Sequence, residues 1–154
     1  MYRELRRIDR KMDNEAAAQL LKNGEYGVLS TIGEDGYPYG VPVSYIYMDN
    51  SIYFHCAVEG QKLDNIKNND KISFCVVGET EVIPERFTTK YESVIVFGRA
   101  VEVLDDERYE AFIGILEKYS SEHLEKGKLY IKNADTKTKI IKITIEKLTG
   151  KANK

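Results

Sequence analysis

The sequence predicts a mainly β fold with helices, a small six-stranded antiparallel barrel, on three observations. The first half holds three β-rich runs, YGVLSTI, YPYGVPVSYIYM and SIYFHCAV, separated only by the turns GEDG and DN. Connections that short join antiparallel neighbours in a meander. Three further features of the chain are strand-like runs, KISFCVVG, SVIVFGRAVEVL and KIIKITIEKL. Helix-period segments stand before, between and late among the strands, placed to plug the ends of a closed sheet. Closure also removes the edges that six flat strands would expose. With 154 residues, 42% hydrophobic and 31% charged, the chain suits one globular domain over 1–154.

Element by element, Asp13 is placed to cap a helix over EAAAQLLKN, whose Ala17, Leu20 and Leu21 share a face. Gly24 stands where a left-handed glycine would end it. In the second β run, Tyr39, Val41, Val43, Tyr45 and Tyr47 alternate with smaller residues, and Pro38 and Pro42 mark an edge or bulged start. EGQKLDNIKNN puts Leu63 and Ile66 one turn apart, as a short helix across a barrel end would. ETEVIPERFTTKYES reads as a long connection and a candidate site wall. DDERYEAFIGILEKYS is the strongest helix pattern, with Asp105 as its cap and Tyr109, Phe112, Ile113, Leu116 and Tyr119 at helical spacing. Residues 121–137 are weakly patterned, with room for a short helix. The last strand turns Ile141, Ile143 and Ile145 inward.

Several function classes are excluded or disfavoured. A formal net charge of -2 supplies no basic field for nucleic acid or an anionic membrane. The N-terminus lacks an uninterrupted apolar stretch and no segment reaches the length of a membrane span, so a cytoplasmic location is expected. Cys56 and Cys75 are too few for a disulfide scaffold. No metal site is expected: there is no C-x-x-C pair, and neighbours His55 and Cys56 on a strand point to opposite faces. Two histidines without a G-x-S-x-G elbow nominate no serine hydrolase, and no Walker or Rossmann glycine pattern occurs.

One stretch raises a chemical question. YFHCAVEGQKLDN passes from strand to helix through Gly60 and Lys62. Unpaired N–H groups at a helix start, beside a glycine and an ammonium, suit a phosphate. An ordinary surface turn carrying a lysine would read the same.

The segments LLKNGEYGVLST, GYPYGVPVSYIY, IYFHCAVEGQKLDNIKNNDKISFCVVG and FTTKYESVIVFGRA, in this order, resemble the FMN-binding split-barrel proteins related to pyridoxamine 5'-phosphate oxidase. The branch they resemble contains the nitroimidazole-resistance (Nim) proteins. The likeness runs from about Arg7 to about Ser120. It implies a homodimer of six-stranded antiparallel split β-barrels, with FMN in the grooves between subunits. By the same resemblance, HCAVEGQK, with Ala57, Gly60 and Lys62, would wrap the flavin phosphate tail. Val43, Ser44 and Tyr45 would offer backbone groups to the ring, and Thr89, Tyr91 and Ser93 would complete the pocket, in their own subunit or its neighbour. His55 would sit close to the flavin, as a catalytic or orienting group; a strand histidine satisfied by a carbonyl is the other reading. Cys56 would pack as a small hydrophobe. The oxidase's arginine-rich phosphate motifs have no counterpart here, which disfavours pyridoxamine phosphate as substrate.

The implied function is an FMN-dependent oxidoreductase passing electrons from a nicotinamide-type donor to a small aromatic or nitro-bearing acceptor. Two alternatives are an FMN-storage protein without turnover and a haem-binding relative.

Overall fold

The computed structural model describes residues 2–154. Seven antiparallel strands are β1 (Gly27–Ile32), β2 (Pro38–Val43), β3 (Ile46–Met48), β4 (Ser51–Ala57), β5 (Lys71–Ile83), β6 (Thr88–Val103) and β7 (Thr138–Asn153). Their spatial order is β2-β1-β5-β6-β7-β4-β3. The expected count of six is thus corrected to seven. The run PYGVPVSYIYM, read as one strand, breaks at Ser44 and Tyr45 into β2 and β3, which occupy opposite edges of the sheet.

That break dictates the shape. Three Cα–Cα steps from Val43 to Ile46 span at most about 11 Å. Seven strands laid flat would hold the two edges roughly 29 Å apart. The sheet therefore curls until its edges nearly meet. No ladder joins β2 to β3 among the described residues, so the barrel stays open at this corner.

Two cores result. Inside the curl, Leu29, Ile52, Phe54, Phe74, Val76, Val94, Val96, Ile141 and Ile143 pack together, with Ala17 and Leu21 of α1 (Asn14–Asn23) at one end. Leu63 and Ile66 of α2 (Gln61–Asn68) lie against the same cluster, as their spacing predicted. The second core lies outside the sheet. Ile46, Tyr53, Val103 and Ile140 are covered by Ala111, Phe112 and Ile115 of α3 (Asp105–Tyr119) and by Ile131 of α4 (Leu124–Asn133). Ile140 and Ile141 therefore face different cores, while Ile145 is only partly buried.

Caps and turns show where local chemistry was overridden. Asp13 caps α1 as expected, accepting the Ala16 N–H at 2.8 Å. Gly24 also ends α1, but in extended geometry (φ -60°, ψ 138°) instead of the left-handed conformation. It is needed for space: a Cβ there would lie 2.5 Å from Val76 Cγ1 and closer still to the Tyr45 hydroxyl. Asp105 is the first residue of α3 and not its cap; Leu104 precedes the helix without a side-chain cap. Tyr109 is left exposed, and the buried face runs through Ala111, Phe112 and Ile115. The expected long loop around residues 79–93 is instead the extension of β5 and β6 into a hairpin, closed by a 3₁₀ turn at Pro84–Arg86. Phe87, at the tip, is almost wholly exposed.

Replacing Gly24 by alanine should force a methyl into the buried Tyr45–Val76 contact. A loss of about 1–3 kcal/mol, typical of overpacking, is expected in urea unfolding. An unchanged midpoint would show that α1 can shift away at no cost.

Candidate functional site

The β2–β3 corner is held by the end of α3. Lys118 Nζ donates to the carbonyls of Gly24 (2.6 Å) and Tyr45 (2.8 Å), and sits 4.0 Å from the centre of the Tyr45 ring. Burial of this ammonium pulls its pKa down to about 8. The Tyr119 hydroxyl donates to the Glu25 carbonyl at 2.5 Å and accepts the Tyr45 N–H at 2.9 Å. Tyr45 itself is fully buried, packed edge-on against Phe74, with its hydroxyl donated to the Leu21 carbonyl. Its main chain and side chain are both engaged within the fold. Val43 is half-buried and Ser44 exposed beside it.

β4 brings the next group. Ile46 pairs with Tyr53, and continuing that register places Ser44 opposite His55. Both line one cavity of about 460 Å³ between the sheet and the helices α3 and α4. The His55 ring lies 6.2 Å from the Phe112 ring, with 29° between their planes. His55 is exposed at the cavity's edge, and partial desolvation there first, then the Lys62 charge, push its pKa below the usual imidazole value. The neutral imidazole, a form with one donor and one acceptor nitrogen, is thereby favoured at His55. Cys56 points the other way into the barrel core, where burial raises its pKa. A thiol so placed is a packing group, as its strand neighbour predicted.

Ala57 ends β4, exposed, and the chain reaches α2 through Gly60. Gly60 has φ 149° and ψ 169°, a region essentially confined to glycine. A Cβ there would meet nothing within 4 Å, so the backbone is needed for its conformation and the space beside it is open. No side chain caps α2; the Leu63 and Asp64 N–H groups both turn back to the Gly60 carbonyl. The Gln61 and Lys62 N–H groups, which precede these two, have no helical partner. Lys62 makes no ion pair among the described residues, and its charge reaches both His55 and Cys56. An open cradle of amides beside a free ammonium fits a phosphate.

Asn65 positions this start and carried no sequence signal, standing among the polar residues around the Leu63–Ile66 stripe. It is buried; its amide donates to Thr31 Oγ1 at 2.9 Å and its carbonyl accepts from Gln61 Nε2 at 2.7 Å. These bonds pin the first turn of α2 to β1. Buried polar pairs of this kind fix orientation because either partner alone would be left unsatisfied.

The other expected residues stand elsewhere. Ala57 pairs with Thr138 at one end of β7, and Tyr91 pairs with Asn153 at the other. Those ends are separated by roughly 50 Å of extended strand. Thr89 gives its carbonyl to Asn153 Nδ2 at 2.7 Å, and Ser93 pairs with Lys151. Within one chain, Ser44 and His55 share a cavity and the Lys62 charge acts on His55, whereas Thr89, Tyr91 and Ser93 lie toward the other end of β7. α4 was the part of the site that sequence reading missed. His123, Lys126, Gly127 and Tyr130 form the cavity's outer wall, and their segment shows little apolar periodicity.

A family model described as pyridoxamine 5'-phosphate oxidase matches residues 13–152. The chain belongs to that family. Its fold is shared with a candidate 5-nitroimidazole antibiotic resistance protein from Bacteroides thetaiotaomicron, at 18% identity and a TM-score of 0.73, over 94% of this chain and 90% of that one. An FAD-binding protein from Mesorhizobium loti is similar over 94% and 98% of the two chains, with 22% identity and a TM-score of 0.66. The flavocytochrome Anf3 from Azotobacter vinelandii matches over 98% of this chain and 72% of its own, at 15% identity and a TM-score of 0.75. No curated protein matches the chain. Among the described residues, no helix is long and apolar enough to cross a membrane.

Substituting Lys62 by alanine should raise the His55 pKa, because one of its two lowering influences is removed. Titration of the His55 ring protons by NMR would show the shift, and an unmoved curve would place Lys62 too far away to act on this site.

Proposed function

We propose that the chain is an FMN-binding oxidoreductase, acting as a homodimer, that passes electrons from a nicotinamide-type donor to a small aromatic or nitro-bearing acceptor. The observation that carries the reading is the open cradle at Gly60–Lys62, whose lysine charge acts on His55, a residue that lines one cavity with Ser44. The family match and the flavin-binding and nitroimidazole-resistance descriptions of the similar structures support it.

In this reading the Gln61 and Lys62 amides and the Lys62 ammonium hold the FMN phosphate. The main chain at Val43 and Ser44 faces the polar edge of the ring system, and Ala57, without a long side chain, leaves room for the ribityl tail. Tyr45 contributes through the corner it anchors. The bound flavin supplies the two-electron chemistry, and the protein orients it and shields it. His55, in its favoured neutral form, contacts the ring or the acceptor as a hydrogen-bonding group.

Dimerisation gives the remote residues a role. Thr89, Tyr91 and Ser93 lie beyond reach of their own chain's His55, so a second copy is what brings them to the pocket. The outer face of β1, β5 and β6 suits such a contact. Val28 lies opposite Cys75, which lies opposite Ile95, and Val77 is exposed two pairs further on, on the same face. These side chains form an uncharged patch of the sort that marks protein interfaces. The flavocytochrome among the similar structures keeps haem as a second cofactor reading; its Soret band would reveal it.

The visible spectrum of protein purified without added cofactor tests the reading, followed by assay of nicotinamide oxidation with and without a nitroaromatic acceptor. Flavin absorbance with acceptor-dependent turnover is expected, whereas a colourless monomer would end the proposal. Lys62→Ala should weaken FMN binding by about 1.5–3 kcal/mol, the value of a charge-assisted contact. Equal affinity in a fluorescence-quenching titration would remove Lys62 from the phosphate site.

A further inference from the structure

The cavity beside His55 has a composition that the flavin reading does not require. Its floor is apolar, made by Phe112, Ile115 and Leu116 of α3. Gly127 lets α4 lie directly on that floor: a Cβ there would come within 2.6 Å of Leu116. The wall is different in character. Both histidines of the chain, His55 and His123, reach the cavity, together with Lys126 and the hydroxyl-bearing Tyr119 and Tyr130. No carboxylate lines it. Glu125, beside Lys126, pairs with Lys128 at 3.4 Å; Glu122, beside His123, and Glu25, whose charge acts on Tyr119, both stand outside the lining, and Lys126 makes no ion pair among the described residues.

A pocket of about 460 Å³ lies within the usual size of small-ligand sites. Flat apolar surface below and donors without a counter-charge at the rim select for shape and sign together. We propose that this cavity binds a small aromatic carboxylate, its ring on the Phe112–Leu116 floor and its negative group toward His123 and Lys126. That the bound molecule is the electron acceptor rests on the functional reading above; the preference for an anion rests on the lining alone.

Calorimetric titration of the purified protein with 2-naphthoate and its neutral counterpart 2-naphthamide tests the proposal. Naphthoate should bind about tenfold tighter, the worth of one charge-assisted contact. Lys126→Gln and His123→Gln, both at exposed positions, should each lower naphthoate affinity by about threefold or more and leave naphthamide unchanged. Equal affinity for the two probes, binding of neither, or variants indifferent to naphthoate would overturn it. A colourless protein that still prefers naphthoate would support the anion site and contradict the flavin reading. A flavin-loaded protein blind to the charge would do the reverse.

Discussion

The constraint on which the rest depends is the two-residue passage at Ser44–Tyr45 between opposite edges of one sheet. A chain that must cross there forces seven strands into a curl, and the curl leaves a corner with no strand-to-strand ladder. Main-chain groups at such a corner need other partners. Lys118 and Tyr119 provide them from the end of α3, taking the carbonyls of Gly24, Glu25 and Tyr45 and the Tyr45 N–H. The glycine at position 24 follows from the same packing, since the Tyr45 hydroxyl occupies the place of a side chain. One clamp thus joins α1, the sheet edge and α3, and sets Ser44 at the mouth of the cavity.

A second anchoring point works in parallel. Asn65 ties α2 to β1 through Thr31, so Gly60 and Lys62 are held at a fixed distance from His55. The two anchors bracket β4 and give the region its chemistry: neutral imidazole, free ammonium and unpaired amides along about eight residues of chain. Desolvation and charge act in the same direction on His55, favouring its neutral form beside a cation.

Much of this was legible in the sequence because it rests on short-range patterns. The hairpin turns, the Asp13 cap, the Leu63–Ile66 stripe and the opposed faces of His55 and Cys56 all follow from period and local chemistry. The break in the second strand was not, because Tyr45 continues the alternation of Tyr39, Val41 and Val43 unchanged; only the long-range clamp from Lys118 and Tyr119 distinguishes it. The extension of β5 and β6 was hidden by polar residues and Pro84, which suggest a loop when the ladder between the strands cannot be seen. Of the candidate site, Gly60 and Lys62 carried a local signal at the strand-to-helix junction, His55 only the family resemblance, and α4 neither. Its contribution depends on Gly127 fitting against Leu116, a contact between helices that no single-chain period records.

In the proposed complex, amide hydrogens and one ammonium at the start of α2 hold the flavin phosphate. Backbone amide NMR of the protein during titration with FMN reads those atoms directly. Large shifts at Gln61 and Lys62 that saturate together with flavin binding are the predicted result; saturation of the flavin with those two amides unmoved would contradict it.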